Sequence, residues 1–299
     1  MKFQQVVHRI DPHSTLLRTW ELQGGVSAQV TALEIQQPDG QIVKMVVRQH
    51  GAADVRQNPH VAADEYRLLQ ILHAAGLATP VPYLLDQSSE IMPGPYIVVS
   101  YIEGESEFAP AQLPDFIHQL AAQLSKIHLV GGCNLDLSFL PMQEKVSANL
   151  LKQRPANLDE SIDEGHIRDV LESVWPLPAR NKPVLLHGDY WPGNILWKGG
   201  QLAGVIDWED AKVGDPLADL GNTRLEILWA YGVDAMSLFT ASYQSMTTLE
   251  FSHLPFWDMC AALRPASKIA EWARNDEIEK RMRERHHFFI TQAFQMLSA

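Results

Sequence analysis

Apolar and β-branched residues gather in short runs over the first hundred positions. Val26–Ile35 and Ile42–Arg48 are two such runs, separated by Gln37-Pro38-Asp39-Gly40. Proline and glycine stand there where a tight turn uses them, so the pattern predicts a hairpin. An earlier strand is predicted around Leu16–Leu22, ahead of Gln23-Gly24-Gly25-Val26-Ser27. The period then changes. Leu68, Leu69, Ile71, Leu72 and Ala75 recur at helical spacing, which predicts a helix over Pro59–Ala75. Asn58 stands as its N-cap, Pro59 at its first position and Gly76 just past its end. Tyr96–Ile102 reads as a buried strand, and Gly104 breaks it.

Beyond Gly104 helical patterns dominate. Phe116, Leu120, Leu124 and Ile127 share one face of a predicted helix over Asp115–Val130, which stops at Gly131-Gly132. Residues 155–172 are acidic and weakly patterned, and Pro183–Gly214 turns strand-rich again. From Asp219 onward helices return, with breaks expected at Pro255 and near Pro265. There are no repeats or low-complexity tracts. The outline is α+β: a small β-rich lobe over 1–103, a connector at Ser100–Gly104, and a larger helical lobe over 104–299.

Composition narrows the class. The chain has 299 residues, 46% hydrophobic and 20% charged, enough to bury a core. No run approaches the roughly 20 apolar residues of a membrane span, and the N-terminus lacks a signal-like apolar segment, so a cytoplasmic protein is expected. A net charge of −12 argues against nucleic acid and anionic membranes as partners. Most of the acidic excess lies beyond residue 103, which favours a cationic substrate. Cys133 and Cys260, without a CxxC spacing, read as structural thiols.

The candidate chemistry is concentrated between Val184 and Asp207. An apolar strand leads into His187-Gly188-Asp189, and Asn194 follows five residues after the aspartate. Lys198-Gly199-Gly200 then turns the chain into a second strand, Leu202–Ile206, ending in Asp207. A hairpin of this size is expected to bring Asp189, Asn194 and Asp207 together at one end. Phosphoryl transfer needs such a set. One carboxylate receives the acceptor's proton, and hard oxygen donors hold magnesium against nucleotide phosphates.

HGDYWPGN followed by VIDWEDAKVGDPLADL resembles the aminoglycoside phosphotransferase family, the kinase-like group that includes choline, fructosamine and methylthioribose kinases. The likeness runs from Gly24 to about Tyr231. It implies a two-lobed, protein-kinase-like fold with Mg2+ and ATP or GTP in the cleft between lobes. It implies Asp189 as catalytic base, Asn194 and Asp207 as magnesium ligands, and His187 and Asp219 as supports of the catalytic loop. Ile-Asp-Trp around Asp207, in place of Asp-Phe-Gly, is the pattern of the small-molecule branch.

The first hundred residues fit the same family. Gly24, Gly25 and Ser27 resemble its nucleotide loop, where glycine lets backbone amides approach phosphates. Arg48 stands where the family usually carries a strand lysine, with Glu65 as its helical partner; arginine is itself a good phosphate ligand. Lys44 shares the face of Arg48 but lies closer to the turn. Ser100 and Ile102 in the connector are expected to meet an adenine edge through their backbone. No GxGxxG and no GxxxxGK[ST] occurs, which sets aside dinucleotide-binding and P-loop folds.

Glu209 and Asp210 read either as acceptor-site lining or as a solvated turn. Trp191, Trp208 and Trp229 read as core more readily than as a substrate box, and His128 as a packing histidine. The expected activity is a magnesium-dependent kinase that phosphorylates a small-molecule hydroxyl, acting as monomer or homodimer. A kinase-like protein without catalysis keeps no reason to retain Asp189, Asn194 and Asp207 together. A protein kinase is disfavoured by Ile-Asp-Trp and by the absence of Ala-Pro-Glu.

Overall fold

A computed structural model of the chain describes residues 2–22, 28–130 and 135–298. The fold divides into two compact units. The first comprises Met1–Gly104 together with Ala203–Glu209, and the second comprises Glu105–Leu202 and Asp210–Ala299. The division near residue 104 therefore has an addition: seven residues from late in the chain belong to the first unit.

The first unit is an antiparallel sheet with helices against it. Helix α1 (Lys2–Ile10) precedes β1 (Thr15–Glu21), β2 (Ala28–Gln36) and β3 (Ile42–His50). Two helices, α2 (Ala52–Gln57) and α3 (Val61–Ala74), separate these strands from β4 (Pro82–Asp86) and β5 (Tyr96–Ser100). The sheet order is β1-β2-β3-β5-β4. The β2–β3 hairpin turns at Gln37–Gly40, where Gly40 has φ +84° and its N–H donates to Gln37 O at 2.9 Å. Strand alternation divides the sheet's faces. Leu33, Ile35, Met45, Val47, Tyr96 and Val98 form a buried cluster with Val6 and Val7 of α1. Ile97 and Val99, of opposite parity, are buried as well, and α3 packs along β3, β4 and β5.

Helix α3 starts two residues later than its sequence pattern suggests. Asn58 Oδ1 accepts the N–H of His60 at 2.9 Å, closing a turn ahead of the helix rather than capping it. Leu68, Leu69 and Leu72 are buried as the spacing requires, while Ala75 is exposed at the helix end beside Gly76, at φ +77°.

The second unit is built around a buried helix. It comprises α4 (Leu113–Val130), α5 (Gln143–Lys152), α6 (Glu164–Val174) and the short strands β6 (Val184–Leu186) and β7 (Ile195–Lys198). After Gly199 and Gly200, both at positive φ, β8 (Gln201–Val205) carries the chain back into the first unit. The second unit resumes with β9 (Lys212–Gly214), which pairs antiparallel with β6. Five helices follow: α7 (Leu217–Tyr231), α8 (Val233–Ser245), α9 (Leu254–Ala262), α10 (Ile269–Trp272) and α11 (Asp276–Ser298).

Helix α7 is buried on almost every side, with α8, α9 and α11 packed against it, so it lacks the polar stripe of a surface helix. Phe116, Leu120, Leu124 and Ile127 of α4 are all buried. Pro255 does not break a helix. It occupies the first turn of α9, where its missing N–H has no intrahelical partner to lose. On α11, His286 is 1% exposed and stacks on Trp229 of α7, with centroids 5.8 Å apart. Burial pulls its pKa down to about 4, against the opposing charge of Asp159. Among the described residues no helix is long and apolar enough to cross a membrane.

Candidate active site

In the first unit the chemistry converges on Arg48. Arginine 48 and His50 are two positions apart on β3 and so project from one face of the sheet. Arg48 Nε donates to Glu65 Oε2 of α3 at 3.1 Å, and Nη2 donates to Asp207 Oδ1 and Glu209 Oε2, each at 2.5 Å. His50 Nε2 lies 2.7 Å from the same Glu65 oxygen. Burial alone would lower the pKa of Arg48, but the charges of Glu65, Asp207 and Glu209 outweigh it and hold the guanidinium above its ordinary value. Burial likewise pushes Glu65 up, and Arg48 and His50 more than reverse this, leaving it below the usual carboxylate range.

One cation therefore faces three carboxylates. Lys44 pairs instead with Glu103 at 2.7 Å, in a more exposed position, so the buried strand cation is Arg48. Glu209 belongs to the Arg48 cluster and is largely buried, so it is not a solvated turn residue. Asp207 has φ +68°, a left-handed conformation that aspartate tolerates better than most residues. Trp208 is buried, with Nε1 donating to Val205 O at 3.1 Å.

The connector residues differ from each other. Ser100 N–H donates to Val81 O at 2.8 Å and its Oγ accepts the N–H of Val81 at 2.9 Å, so the Ser100 amide is already engaged. The backbone of Ile102 forms no hydrogen bond among the described residues. Its side chain lies so close to Gly204 that a Cβ there would sit 2.5 Å from Ile102 Cδ1. Gly24, Gly25 and Ser27 lie outside the described residues.

In the second unit β6 ends at Leu186, and the next three residues are fixed from α7. Asp219, 2% exposed, accepts the N–H of His187 through Oδ2 at 2.7 Å and the N–H of Gly188 through Oδ1 at 2.9 Å. His128 Nε2 approaches Oδ2 at 3.3 Å, and His128 Nδ1 pairs with Tyr243 Oη at 2.5 Å. Burial works against the Asp219 carboxylate, yet His128, His187 and the Gly188 N–H hold its pKa below the ordinary range. Gly188 has φ +81°, and a Cβ there would lie 2.0 Å from Asp210 O, so no larger residue fits between His187 and Asp189. His187 is fully buried, and its Nδ1 accepts the N–H of Asp189 at 3.3 Å.

The Asp189 carboxylate is held at both oxygens. Arg264 Nη2 donates to Oδ1 at 2.8 Å, and Asn194 Nδ2 donates to Oδ2 at 3.1 Å and to the Asp189 carbonyl at 3.0 Å. Both of these bonds use the amino group of Asn194 and leave its amide oxygen out of them. The Asp189 side chain remains 28% exposed, so solvent can reach it. Trp191 lies over Gly193 and beside Phe108, with ring centroids 6.0 Å apart, and is half-buried.

Arg264 carries no motif, and sequence reading alone did not find it. It follows α9 and reaches Asp189 only through the packing of α9 on α7. Asn222 and Glu226 of α7 are near neighbours of Arg264 that also went unmarked. Spacing offered a signal for them, since 219, 222 and 226 fall on one face of a helix. Glu209 had a signal too, as it stands two residues beyond Asp207.

Residues 20–239 match the model of the phosphotransferase enzyme family. The chain belongs to that family. This phosphotransferase is 27% identical over 236 residues to the homoserine kinase of Rhizobium johnstonii, covering 70% of this chain and 69% of that one. It is also 27% identical over 200 residues to mouse acyl-CoA dehydrogenase family member 10, but spans only 18% of that longer protein.

Among solved structures, a putative aminoglycoside phosphotransferase from Ralstonia eutropha superposes with a TM-score of 0.65 at 14% identity, covering 98% of both chains. The GDP complex of aminoglycoside 2′-phosphotransferase-IIIa gives 0.64 at 16% identity, over 99% of this chain and 96% of that one. An amicoumacin kinase bound to AMP-PNP, Ca2+ and its substrate gives 0.65 at 14%, over 97% and 93%. The phosphotransferase has the protein-kinase-like fold of these enzymes, and it acts on a small molecule.

Proposed function

We propose that this phosphotransferase moves the γ-phosphoryl group of ATP or GTP to a small-molecule hydroxyl, with Asp189 as base and Asn194 and Asp207 as ligands of Mg2+. The observation that carries the reading is the Asp189 carboxylate, accessible yet held at both oxygens by Arg264 and Asn194. A carboxylate oxygen has lone pairs beyond those engaged, so Asp189 can still accept the acceptor's proton. The hydroxyl oxygen then attacks the γ-phosphorus, the bond to the β–γ bridging oxygen breaks, and the nucleoside diphosphate leaves.

The residues suit a hard divalent cation. Arg48 offsets only one of the three carboxylates around it, so the cluster with Asp207 keeps surplus negative charge. Asn194 adds an amide oxygen, and oxygen is the donor that magnesium prefers. Among the described residues no group of three His, Cys, Asp or Glu side chains is placed to hold a metal alone. Bound there, the ion would neutralise charge on the phosphates as the bridging bond breaks. Arg48 would contact the phosphates, Glu65 would orient it, and the Ile102 backbone would meet the base. Gly24, Gly25 and Ser27 are assigned to the phosphate loop from the sequence alone.

The acceptors to try first are homoserine, choline and kanamycin, each a hydroxylated amine suited to an acidic chain. The test pairs binding with turnover. ATP with Mg2+ should raise the melting temperature, and EDTA should remove that gain. Asp189→Asn should keep the nucleotide-induced gain but lower phosphoryl transfer by roughly 10²–10⁴-fold, the usual range for losing a general base. Near-parental transfer in Asp189→Asn would exclude the base assignment.

A further inference from the structure

Arg264 sits at the one point where α7, α9 and the base meet. Its backbone N–H donates to Ala261 O at 3.1 Å, so the residue belongs to the closing turn of α9. Helix α9 can lie against α7 because position 221 is glycine. A Cβ there would come within 2.9 Å of the Trp257 backbone carbon and oxygen. Arg224 of α7 then clamps Asp258 of α9 through two parallel hydrogen bonds of 3.0 and 3.1 Å. The close approach sets Arg264 over Asn222, whose Oδ1 accepts from Arg264 Nη1, while Nη2 reaches Asp189 Oδ1 at 2.8 Å.

Stability does not account for this pair. The Arg264 and Asp189 side chains are 36% and 28% exposed, and ion pairs open to water contribute little to folding. Nor is Arg264 a cation devoted to the base, since Glu226 and Asp210 also act on its charge. What the guanidinium offers is geometry. Its planar fork is rigid, and both of its ends are fixed on α7, one directly through Asn222 and the other through a loop that Asp219 anchors. The Nδ2 of buried Asn222 has no partner among the described residues, so this corner keeps one donor for an incoming oxygen.

We propose that Arg264 is the positioning residue of the base: held by Asn222, it fixes the orientation of the Asp189 carboxylate against which the acceptor hydroxyl is aligned. The inference rests on the reading of Asp189 as base. Misplacing a reacting group by about 1 Å can cost on the order of 10²-fold in rate, so loss of this brace should appear in kcat.

Water serves as the acceptor for the test, so no substrate need be known: hydrolysis of Mg-ATP by the full-length chain is followed by release of ADP. Arg264→Ala should lower kcat roughly 10–100-fold with the KM for ATP within about twofold of the parent. Millimolar guanidinium ion should restore part of the loss, which a merely structural defect would not permit. Arg264→Lys, which keeps the charge but not the fork, should fall between parent and Arg264→Ala and serves if the alanine variant does not fold. Parental kcat in Arg264→Ala with depressed turnover in Asp189→Asn would overturn the role of Arg264 and leave the base assignment standing. A loss that guanidinium does not relieve and that raises the KM for ATP as well would also overturn it. Parental turnover in Asp189→Asn would remove the base reading, and this one with it.

Discussion

Replacing Asp219 by alanine removes an acceptor shared by two backbone N–H groups. The bonds from His187 and Gly188 are 2.7 and 2.9 Å long and end on a carboxylate that is 2% exposed. Hydrogen bonds to a charged group contribute about 1.5–3 kcal/mol each, and a buried donor left alone costs its desolvation. The third contact, from His128 at 3.3 Å, is long and adds little. Asp219→Ala should therefore destabilise the second unit by about 3–5 kcal/mol. Asp219→Asn keeps one accepting oxygen but turns an NH2 group toward the other N–H, so about 2–3 kcal/mol is expected. Urea unfolding at pH 7 measures the total. Hydrogen exchange at the His187 and Gly188 amides locates it, since both should lose protection before β6 does. A loss below about 1 kcal/mol in Asp219→Ala, with unchanged m and continued protection of both amides, would refute the reasoning.

Three further outcomes rest on backbone geometry and burial. Gly188→Ala combines a positive φ with a Cβ that meets the Asp210 carbonyl at 2.0 Å, and should cost about 3–5 kcal/mol. Gly199→Ala, at φ +57° with open space around it, should cost only about 1 kcal/mol in the same unfolding assay. His286, with a native pKa of about 4 against an unfolded value near 6.5, favours folding fully above the unfolded value and loses that contribution as pH falls toward 4. His286→Phe keeps a ring against Trp229 and should flatten the acid limb of the stability curve by up to about 3 kcal/mol; an unchanged limb would show that His286 does not titrate on unfolding.

What could be read from the sequence was local. The β2–β3 hairpin announces itself through β-branched runs and a Pro-Asp-Gly turn, and HGDYWPGN holds Asp189 and Asn194 close enough in the chain to share hydrogen bonds. Where the reading fell short, the cause was tertiary. Helix α2 buries no residue and so leaves no apolar period to detect. Helix α7 is buried nearly all round, so polar and apolar residues share its faces, and this hid Asn222 and Glu226. Arg264 lies 75 positions beyond Asp189, and nothing in its neighbourhood marks a helix end as part of a reaction centre. Ser100 looked available for an adenine edge because a sequence does not show that Val81 takes its amide.

The seven residues that return to the first unit set an order of assembly. A ribosome releasing this chain delivers Arg48, His50 and Glu65 long before Asp207 and Glu209, which lie past more than a hundred intervening residues. At roughly 5–20 residues per second, the interval is on the order of 7–30 s. Throughout it the nascent sheet must carry a guanidinium with one carboxylate instead of three, and must wait for strand material that has not yet been translated. A fragment cut at the end of β5 would stay in that unfinished state, whereas one extended through Glu209 would contain every residue of the unit.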